Sequence, residues 1–331
     1  MLKVGILRII QKKILTNTNR ILVVIAGPTA VGKTSLSITL ARHYSCPVIS
    51  ADSRQFFKEI SIGTAKPSIE EMQGVPHYFI DSHSITENYN VGKFEKEVLD
   101  LLNELFKNHE LIIMVGGSGL YIDAVCNGFD ELPEANEEVR NKINQLMETE
   151  GIAGLQNLLK ELDPVYFEQV DKQNPQRLGR ALEVCLVSGK TYSGFRKETA
   201  KKRDFQILKI GLNLPREILY QRINSRVDQM LNDGLLAEVQ RVEKYKHLNA
   251  LQTVGYKELF DYLTAIHDSE EDMKSHQQLL MKAIELIKQN TRRFAKRQLT
   301  WFRRDEQIKW FEPHETSSIL TYIEENRIKN S

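Results

Sequence analysis

The chain has 331 residues, a formal net charge of +1, 41% hydrophobic and 27% charged residues, the balance of a globular protein with a buried core. Overall charge therefore gives no argument for nucleic-acid binding, which has to rest on local clusters. Cys46, Cys126 and Cys185 are too far apart for a cysteine zinc site or a disulfide framework, and no apolar run reaches membrane-spanning length.

Met1 to Arg20 carries Lys3, Arg8, Lys12, Lys13 and Arg20 and no acidic residue. It reads as a basic bacterial leader arm, the product of an early start codon, or an organelle transit peptide. The expected location is the bacterial cytoplasm, or the mitochondrion if residues 1–20 are a transit peptide. Ile21 to Ala26 is a β-branched run ending at Gly27 and predicts a buried strand. Lys33 to His43 predicts a helix, and Pro47 to Ser50 a second strand with a polar turn at Asp52. His77 to Ile80 is a weaker third strand. Phe94 to Leu105 has helical spacing, and Leu111 to Val115 is a strongly apolar strand ending in Gly116-Gly117. Strands alternating with helices predict an α/β fold, a parallel sheet with helices on both faces.

From Leu132 to Lys202 strand-like runs vanish. Helices are predicted at Val139 to Met147, Leu155 to Leu162 and Pro175 to Val187, the last with Asn174 as N-cap and Gly189 as C-cap. A strand returns at Phe205 to Leu214, and helices dominate the rest. The expected organisation is a basic extension (1–20), a first part of the core (21–131), a helical insertion (132–202), and a core completion with C-terminal helices (203–331).

Gly27-Pro28-Thr29-Ala30-Val31-Gly32-Lys33-Thr34 matches G-x-x-x-x-G-K-[ST] between a strand and a helix, the context the motif requires. Its glycines let backbone N–H groups turn inward as an anion nest, and the helix N-terminus adds its dipole. Lys33 supplies a positive charge, and the Thr34 hydroxyl can ligate Mg²⁺. The expected fold is thus P-loop NTPase-like, and the loop binds a di- or triphosphate. The later strand ends in Gly116-Gly117-Ser118-Gly119, with no acid of the kind that organises γ-phosphate transfer in many ATPases. Asp52, just past the second strand, can accept a proton from an attacking amine in the same crevice, or else cap the next helix.

Thr291 to Arg304 is densely basic, lacks acids and carries Phe294, Trp301 and Phe302. Arg292 with Lys296, and Arg293 with Arg297, fall on adjacent helix faces as a phosphate-tracking stripe, or as a solvated face over buried aromatics. Trp301 and Phe302 read as core.

Several segments together carry a resemblance: the phosphate loop, Asp52-Ser53-Arg54-Gln55, Ile62 to Pro67, Val75-Pro76-His77, Gly116 to Tyr121, Pro175 to Glu183, Val254 to Lys257 and Lys296-Arg297-Gln298. In this order they resemble the tRNA dimethylallyltransferase family, from about Ile21 to Phe311. The resemblance implies transfer of a dimethylallyl group from dimethylallyl diphosphate to N6 of adenine 37 in the anticodon loop of tRNAs reading codons that begin with U. It implies Mg²⁺ as cofactor, Asp52 as general base, and Ser118, where the family usually has Thr, as a hydroxyl on the diphosphate. Arg222 and Arg226 lie one helical turn apart, and one of them, Arg226 in preference, is expected to neutralise the departing diphosphate; the alternative is a surface ion pair. The tRNA contacts implied are Asp52, Ser53, Arg54, Gln55, Ser118, Arg140, Gln176, Arg177, Leu178, Gly179 and Arg180, joined by Arg293 and Arg297; Gln252 to Lys257 is a further candidate. The partners expected are the tRNA anticodon arm and dimethylallyl diphosphate, with no membrane, and a monomer suits such an RNA grip. The sequence shows no Cys and His pairs like those of the zinc finger in some eukaryotic relatives, so the shorter bacterial or organellar form is expected.

Three other functions stand beside this one. An adenylate isopentenyltransferase would need neither the basic stripe nor the insertion. A small-molecule or nucleotide kinase would turn over ATP. A non-catalytic RNA-binding module would have no use for Lys33, Thr34 and Asp52.

Overall fold

The computed structural model describes residues 20–130, 132–134, 136–196, 201–267 and 273–328, so the basic extension up to residue 19 lies outside the described residues. In chain order the core begins with β1 (Ile21–Ala26), α1 (Lys33–Tyr44), β2 (Val48–Ser50), the single turn α2 (Ile69–Met72), β3 (His77–Tyr78), α3 (Val91–Leu105), β4 (Leu111–Gly116) and α4 (Gly119–Asn127). The insertion follows with α5 (Glu137–Leu162), α6 (Pro164–Gln169), α7 (Pro175–Ser188) and α8 (Tyr192–Phe195). The core resumes with β5 (Gln206–Leu212), α9 (Arg216–Asn232), α10 (Leu235–Val242), α11 (Tyr256–His267), α12 (Met273–Phe302), β6 (Lys309–Phe311) and α13 (Thr316–Ile328). Among the described residues no helix is long and apolar enough to cross a membrane.

The strands form one sheet in the order β3-β2-β4-β1-β5-β6, and every pair is parallel. β1 is buried at all six positions because it lies mid-sheet with both faces covered. Ile21, Val23 and Ile25 pack with Leu36 and Leu40 of α1, Ile223 of α9 and Ile319 of α13. Leu22, Val24 and Ala26 pack on the other face with Phe94 and Val98 of α3 and Ile122 of α4. A further apolar cluster joins Phe57 and Ile60 to Val239 of α10, Tyr256 of α11 and Ile287 of α12.

The register matters most at the carboxyl edge. Ala26 ends β1 opposite Gly116 on one side and Gly211 on the other, so three small residues stand abreast where the phosphate loop leaves the sheet. A Cβ at Gly116 would lie 2.3 Å from the Ala51 carbonyl oxygen, which shows how closely the chain beyond β2 crosses the end of β4.

The expected strands appear with shifted ends. The third stops at Tyr78 because Phe79 turns into the left-handed region at φ 61°. β6 was not anticipated: it is three residues long, in a charged stretch, and exists by pairing with β5. In the insertion, Asn127–Lys202 forms a compact unit with its own core of Ile143, Leu155, Leu159, Leu178 and Leu182. The two helices expected around 139–147 and 155–162 are the two halves of α5, broken at Gly151 (φ 66°, ψ −161°). α7 has the expected caps: the Asn174 side chain accepts from the Arg177 N–H at 3.1 Å, and Gly189 closes it at φ 66°.

We predict that Gly116→Ala lowers the unfolding free energy by about 1–3 kcal/mol, because neither crossing backbone can move away cheaply. Chemical denaturation measures this; a loss under about 0.5 kcal/mol, the range of neutral surface changes, would show the crossing to be compliant.

Candidate phosphate and acceptor site

The loop after β1 is shaped by its glycines. Gly27 sits at φ 148° with the Leu212 carbonyl oxygen 2.7 Å from where a Cβ would be, and Gly32 is at φ 109°. Ala30 also takes a left-handed turn (φ 62°), a strained conformation for a residue with a Cβ, held in place by the fully buried Val31 beside it. Helix α1 starts with no side-chain N-cap and no acid in its first turn, so its positive end faces the loop unopposed by its own side chains. Lys33 folds back over this loop, and its Nζ donates to the carbonyls of Gly27 (2.9 Å) and Pro28 (2.7 Å). Burial pushes the Lys33 ammonium down to a pKa of about 8, against the pull of Asp52 and helped by the nearby Arg226 charge.

A cavity of about 590 Å³ opens here, lined by Lys33, Thr34, Asp52, Ser118 and Arg226, and farther along by Lys257, Asn290, Phe294 and Arg297. A second cavity of about 460 Å³ shares Ala30, Lys33, Thr34 and Arg226 and adds Arg222. The phosphate loop and Arg226 are thus walls of both. Burial lowers the Arg226 pKa, with Asp52 and Glu71 opposing the shift. Arg222 turns instead to the loop itself, with Nη1 3.4 Å from the Val31 carbonyl. The two arginines expected to share a face do so, and Arg226 is the one that reaches both cavities.

On the acceptor side, Asp52 caps no helix. Its Oδ1 accepts the Arg54 N–H at 3.0 Å in an Asx turn, which fixes the carboxylate at the cavity wall. Ser118, one residue ahead of α4, accepts the Ser53 N–H at 2.9 Å and donates to the Ser53 hydroxyl at 3.0 Å. Asp52 and Ser118 are therefore joined through one short turn. The Arg54 Nη1 donates to the Asn249 carbonyl at 2.9 Å, and burial lowers its pKa despite Tyr121 and Asp52 nearby. Gln55 donates to the carbonyls of Thr64 and Ala65 at 3.2 Å each and accepts from the Ser50 hydroxyl at 3.2 Å. Its amide holds the 60–66 loop.

That loop is anchored by Glu238, a residue no sequence signal marked. Its buried carboxylate accepts the N–H groups of Ser61 (2.8 Å), Ile62 (2.9 Å) and Gly63 (3.0 Å) and the Tyr256 hydroxyl (2.6 Å). Gly63 lies flat against the Tyr256 ring, where a Cβ would come within 2.5 Å. Gln298 of α12 was likewise missed as a functional side chain. Its Oε1 accepts the Thr29 N–H and its Nε2 donates to the Gly117 carbonyl, both at 2.9 Å.

α12 presents Arg293, Lys296 and Arg297 outward, whereas Arg292 turns inward to donate to Asn224 at 2.6 Å. The exposed stripe is therefore narrower than expected. Phe294 is 39% exposed, lines the cavity of about 590 Å³ and carries the Arg297 guanidinium 5.7 Å from its ring centre, so it belongs with the exposed set. Trp301 and Phe302 are packing residues; the Trp301 Nε1 donates to Asp123 at 2.8 Å. In the insertion, Arg140 and Arg180 converge on the buried Glu183 at 3.1 and 2.7 Å. Gln176 and Arg177 are exposed, and Gly179 is half-buried. Leu178, expected among the RNA contacts, has its side chain fully buried in the insertion's core, which leaves only its backbone for such a contact.

Among the described residues no group of three or more His, Cys, Asp or Glu side chains could hold a metal. The Thr34 hydroxyl, an oxygen donor beside Lys33 in both cavities, still fits Mg²⁺ that takes most of its ligands from phosphate and water.

These features define an α/β phosphate-loop protein whose loop shares one cavity with a carboxylate. The model of the IPP transferase family matches residues 55–305. The tRNA dimethylallyltransferase of Flavobacterium johnsoniae is 50% identical over 312 residues, covering 92% of this chain and 97% of the relative, and that of Cytophaga hutchinsonii is 47% identical over 306 residues, covering 92% and 97%. Among solved structures, the tRNA isopentenylpyrophosphate transferase of Bacillus halodurans is 34% identical with a TM-score of 0.66, covering 93% of this chain and 97% of that one. A eukaryotic dimethylallyltransferase acting on tRNA is 28% identical with a TM-score of 0.73, covering 90% and 75%. The chain belongs to the IPP transferase family.

Lys33 generates a pH prediction. With its pKa near 8, the ammonium is charged below that pH and neutral above it, so anion binding weakens as pH rises through about 8. Relative to Lys33→Arg, which stays charged, wild-type affinity for inorganic diphosphate should fall by up to about tenfold per pH unit between pH 8 and 9.5. Calorimetric titration checks this; parallel pH profiles would contradict it.

Proposed function

We propose that the protein transfers the dimethylallyl group of dimethylallyl diphosphate to N6 of adenine 37 in the anticodon loop of tRNAs reading codons that begin with U, in the bacterial cytoplasm. One observation carries the reading: Lys33 and Arg226, the anion-binding charges, line the same cavity as Asp52 and Ser118. The names of the relatives, which act on tRNA and transfer this group, support it, as does their bacterial origin.

The reaction needs a stabilised leaving group and a base. The backbone nest, Lys33 and Arg226 take up charge on the diphosphate as the allylic carbon–oxygen bond breaks and its electron pair goes to the leaving oxygen. The Ser118 hydroxyl is placed to hydrogen-bond that diphosphate. The Thr34 hydroxyl would hold Mg²⁺, which would add further charge neutralisation at the diphosphate. The adenine N6 amine is a weak nucleophile because its lone pair is delocalised into the ring. As N6 bonds to the allylic carbon, the Asp52 carboxylate accepts one of its protons. An adenine must leave its stack to reach this depth, and Phe294 at the cavity lining offers an aromatic face to RNA bases. Arg293 and Arg297 on α12, with Arg140, Gln176, Arg177 and Arg180 in the insertion, supply phosphate contacts. The core site residues come from one chain, so a monomer suffices.

Single-turnover transfer to unmodified tRNA tests the reading. Asp52→Ala should slow it by about 10²–10⁴-fold, the usual contribution of a general base, while tRNA affinity stays within about threefold. Undiminished turnover would remove Asp52 from that role.

The charge-reversed pair Arg293→Glu with Arg297→Glu should weaken tRNA binding and reduce the slope of log affinity against log salt by about 2, one per lost phosphate contact. An unaltered slope would place the RNA contact elsewhere.

A further inference from the structure

Gln298 is 7% exposed, and its amide bridges two backbone segments that are far apart in the sequence, at Thr29 and Gly117. Its Oε1 accepts from Thr29 N–H in the phosphate loop, and its Nε2 donates to Gly117 C=O past the end of β4. The contact is tight at Gly117, where a Cβ would sit 2.3 Å from the Gln298 Nε2.

The consequence comes from peptide planarity. The Thr29 N–H and the Pro28 C=O belong to one planar trans unit, so the bond from Thr29 to Gln298 fixes the direction of the Pro28 carbonyl. That carbonyl accepts from the Lys33 ammonium at 2.7 Å. The Gly117 C=O and the Ser118 N–H are likewise one unit. Its carbonyl end is held by Gln298, and its N–H end lies 3.4 Å from the Ala51 carbonyl. One side chain thus sets the orientation of the two peptides that carry Lys33's resting partner and Ser118. Only a side chain presenting a donor and a strong acceptor side by side does this; a carboxylate lacks the donor, and a thioether of the same length lacks the donor and is only a weak acceptor.

We propose that Gln298 is a positioning residue for the transfer reaction, holding the phosphate loop and the Gly117–Ser118 peptide in the register that lets Lys33 and Ser118 grip one diphosphate. The inference rests on the reading that these two residues bind the diphosphate leaving group. It assigns to α12 a task distinct from its outward-facing RNA contacts, one residue beyond Arg297.

The test is Gln298→Met, near-isosteric and helix-compatible, beside the wild type. Three quantities are measured: affinity for inorganic diphosphate, single-turnover rate with saturating tRNA and dimethylallyl diphosphate, and tRNA affinity. The expected result is a roughly tenfold loss of diphosphate affinity, the scale of one net buried hydrogen bond, and a larger loss of rate, with tRNA affinity within about threefold. Unchanged diphosphate affinity and rate in a folded variant would overturn the inference. So would an equal loss of tRNA and diphosphate affinity, which marks a merely structural side chain. Should Gln298→Met lose its cooperative melt, Gln298→Glu, which keeps the acceptor for Thr29, is put through the same measurements under the same criteria. Diphosphate titration judges Gln298 even in a protein that transfers nothing, whereas failure of the wild type to modify tRNA sinks only the proposed reaction.

Discussion

A lysine ammonium buried against two carbonyls is the interaction on which the rest of this structure depends. Lys33 gives up most of its hydration to lie on the oxygens of Gly27 and Pro28, and the resulting fall in its pKa measures how poorly two dipoles replace water. A polyphosphate bound at the loop, as proposed, would supply the missing counter-charge. The surrounding architecture keeps that anion site open. Small residues line the carboxyl edge where β1, β4 and β5 end, Gly27 and Gly32 adopt backbone turns other residues resist, and the buried Val31 locks the loop to the core. An interior this closely packed transmits the position of one peptide to the next, and so a single amide on α12 can matter to chemistry at the loop.

The acceptor side is built by a different device. Asp52, Ser53 and Ser118 form a short hydrogen-bonded turn rather than part of a regular element, and their positions are set from behind by fully paired polar groups. Gln55 ties the turn to the 60–66 loop, and Glu238 collects three successive N–H groups of that loop together with the Tyr256 hydroxyl. A carboxylate satisfied in this way is rigid, because every alternative leaves a buried polar atom unpaired. The cavity therefore has one wall that carries Lys33 and Arg226 and another that carries the Asp52 carboxylate, which in the proposed reaction takes the base's part. Such a division suits a reaction in which positioning and leaving-group stabilisation carry most of the rate.

How much of this could be read from the residue order depends on the range of the interactions. β1 and β4 are continuous apolar runs and are plain in the sequence, as is the phosphate loop, whose eight residues are contiguous. Lys33 could be named from the phosphate-loop motif, and Asp52 because it lies just past β2. β6 could not, since three residues in a charged stretch become a strand only by pairing with β5. Leu178 sits among polar residues on the capped helix, yet helical geometry turns it into the insertion core, away from solvent. Gln298 bonds to residues 269 and 181 positions away, and Glu238 to residues 175 to 177 positions away, so neither stood out from its polar neighbours until the chain was folded. Local pattern marks the groups to which the proposed reaction assigns the chemistry, and the side chains that hold them in place are visible only through tertiary contacts.

The most direct test of the central claim, that the phosphate loop holds a prenyl diphosphate across from an RNA adenine, is an acceptor comparison. The purified protein is incubated with Mg²⁺ and dimethylallyl diphosphate and either unmodified tRNA or AMP, and the nucleosides are then read by mass spectrometry. The account predicts N6-dimethylallyladenosine from tRNA and none from AMP. Product from AMP alone, or no prenylated product together with consumption of ATP, would contradict it.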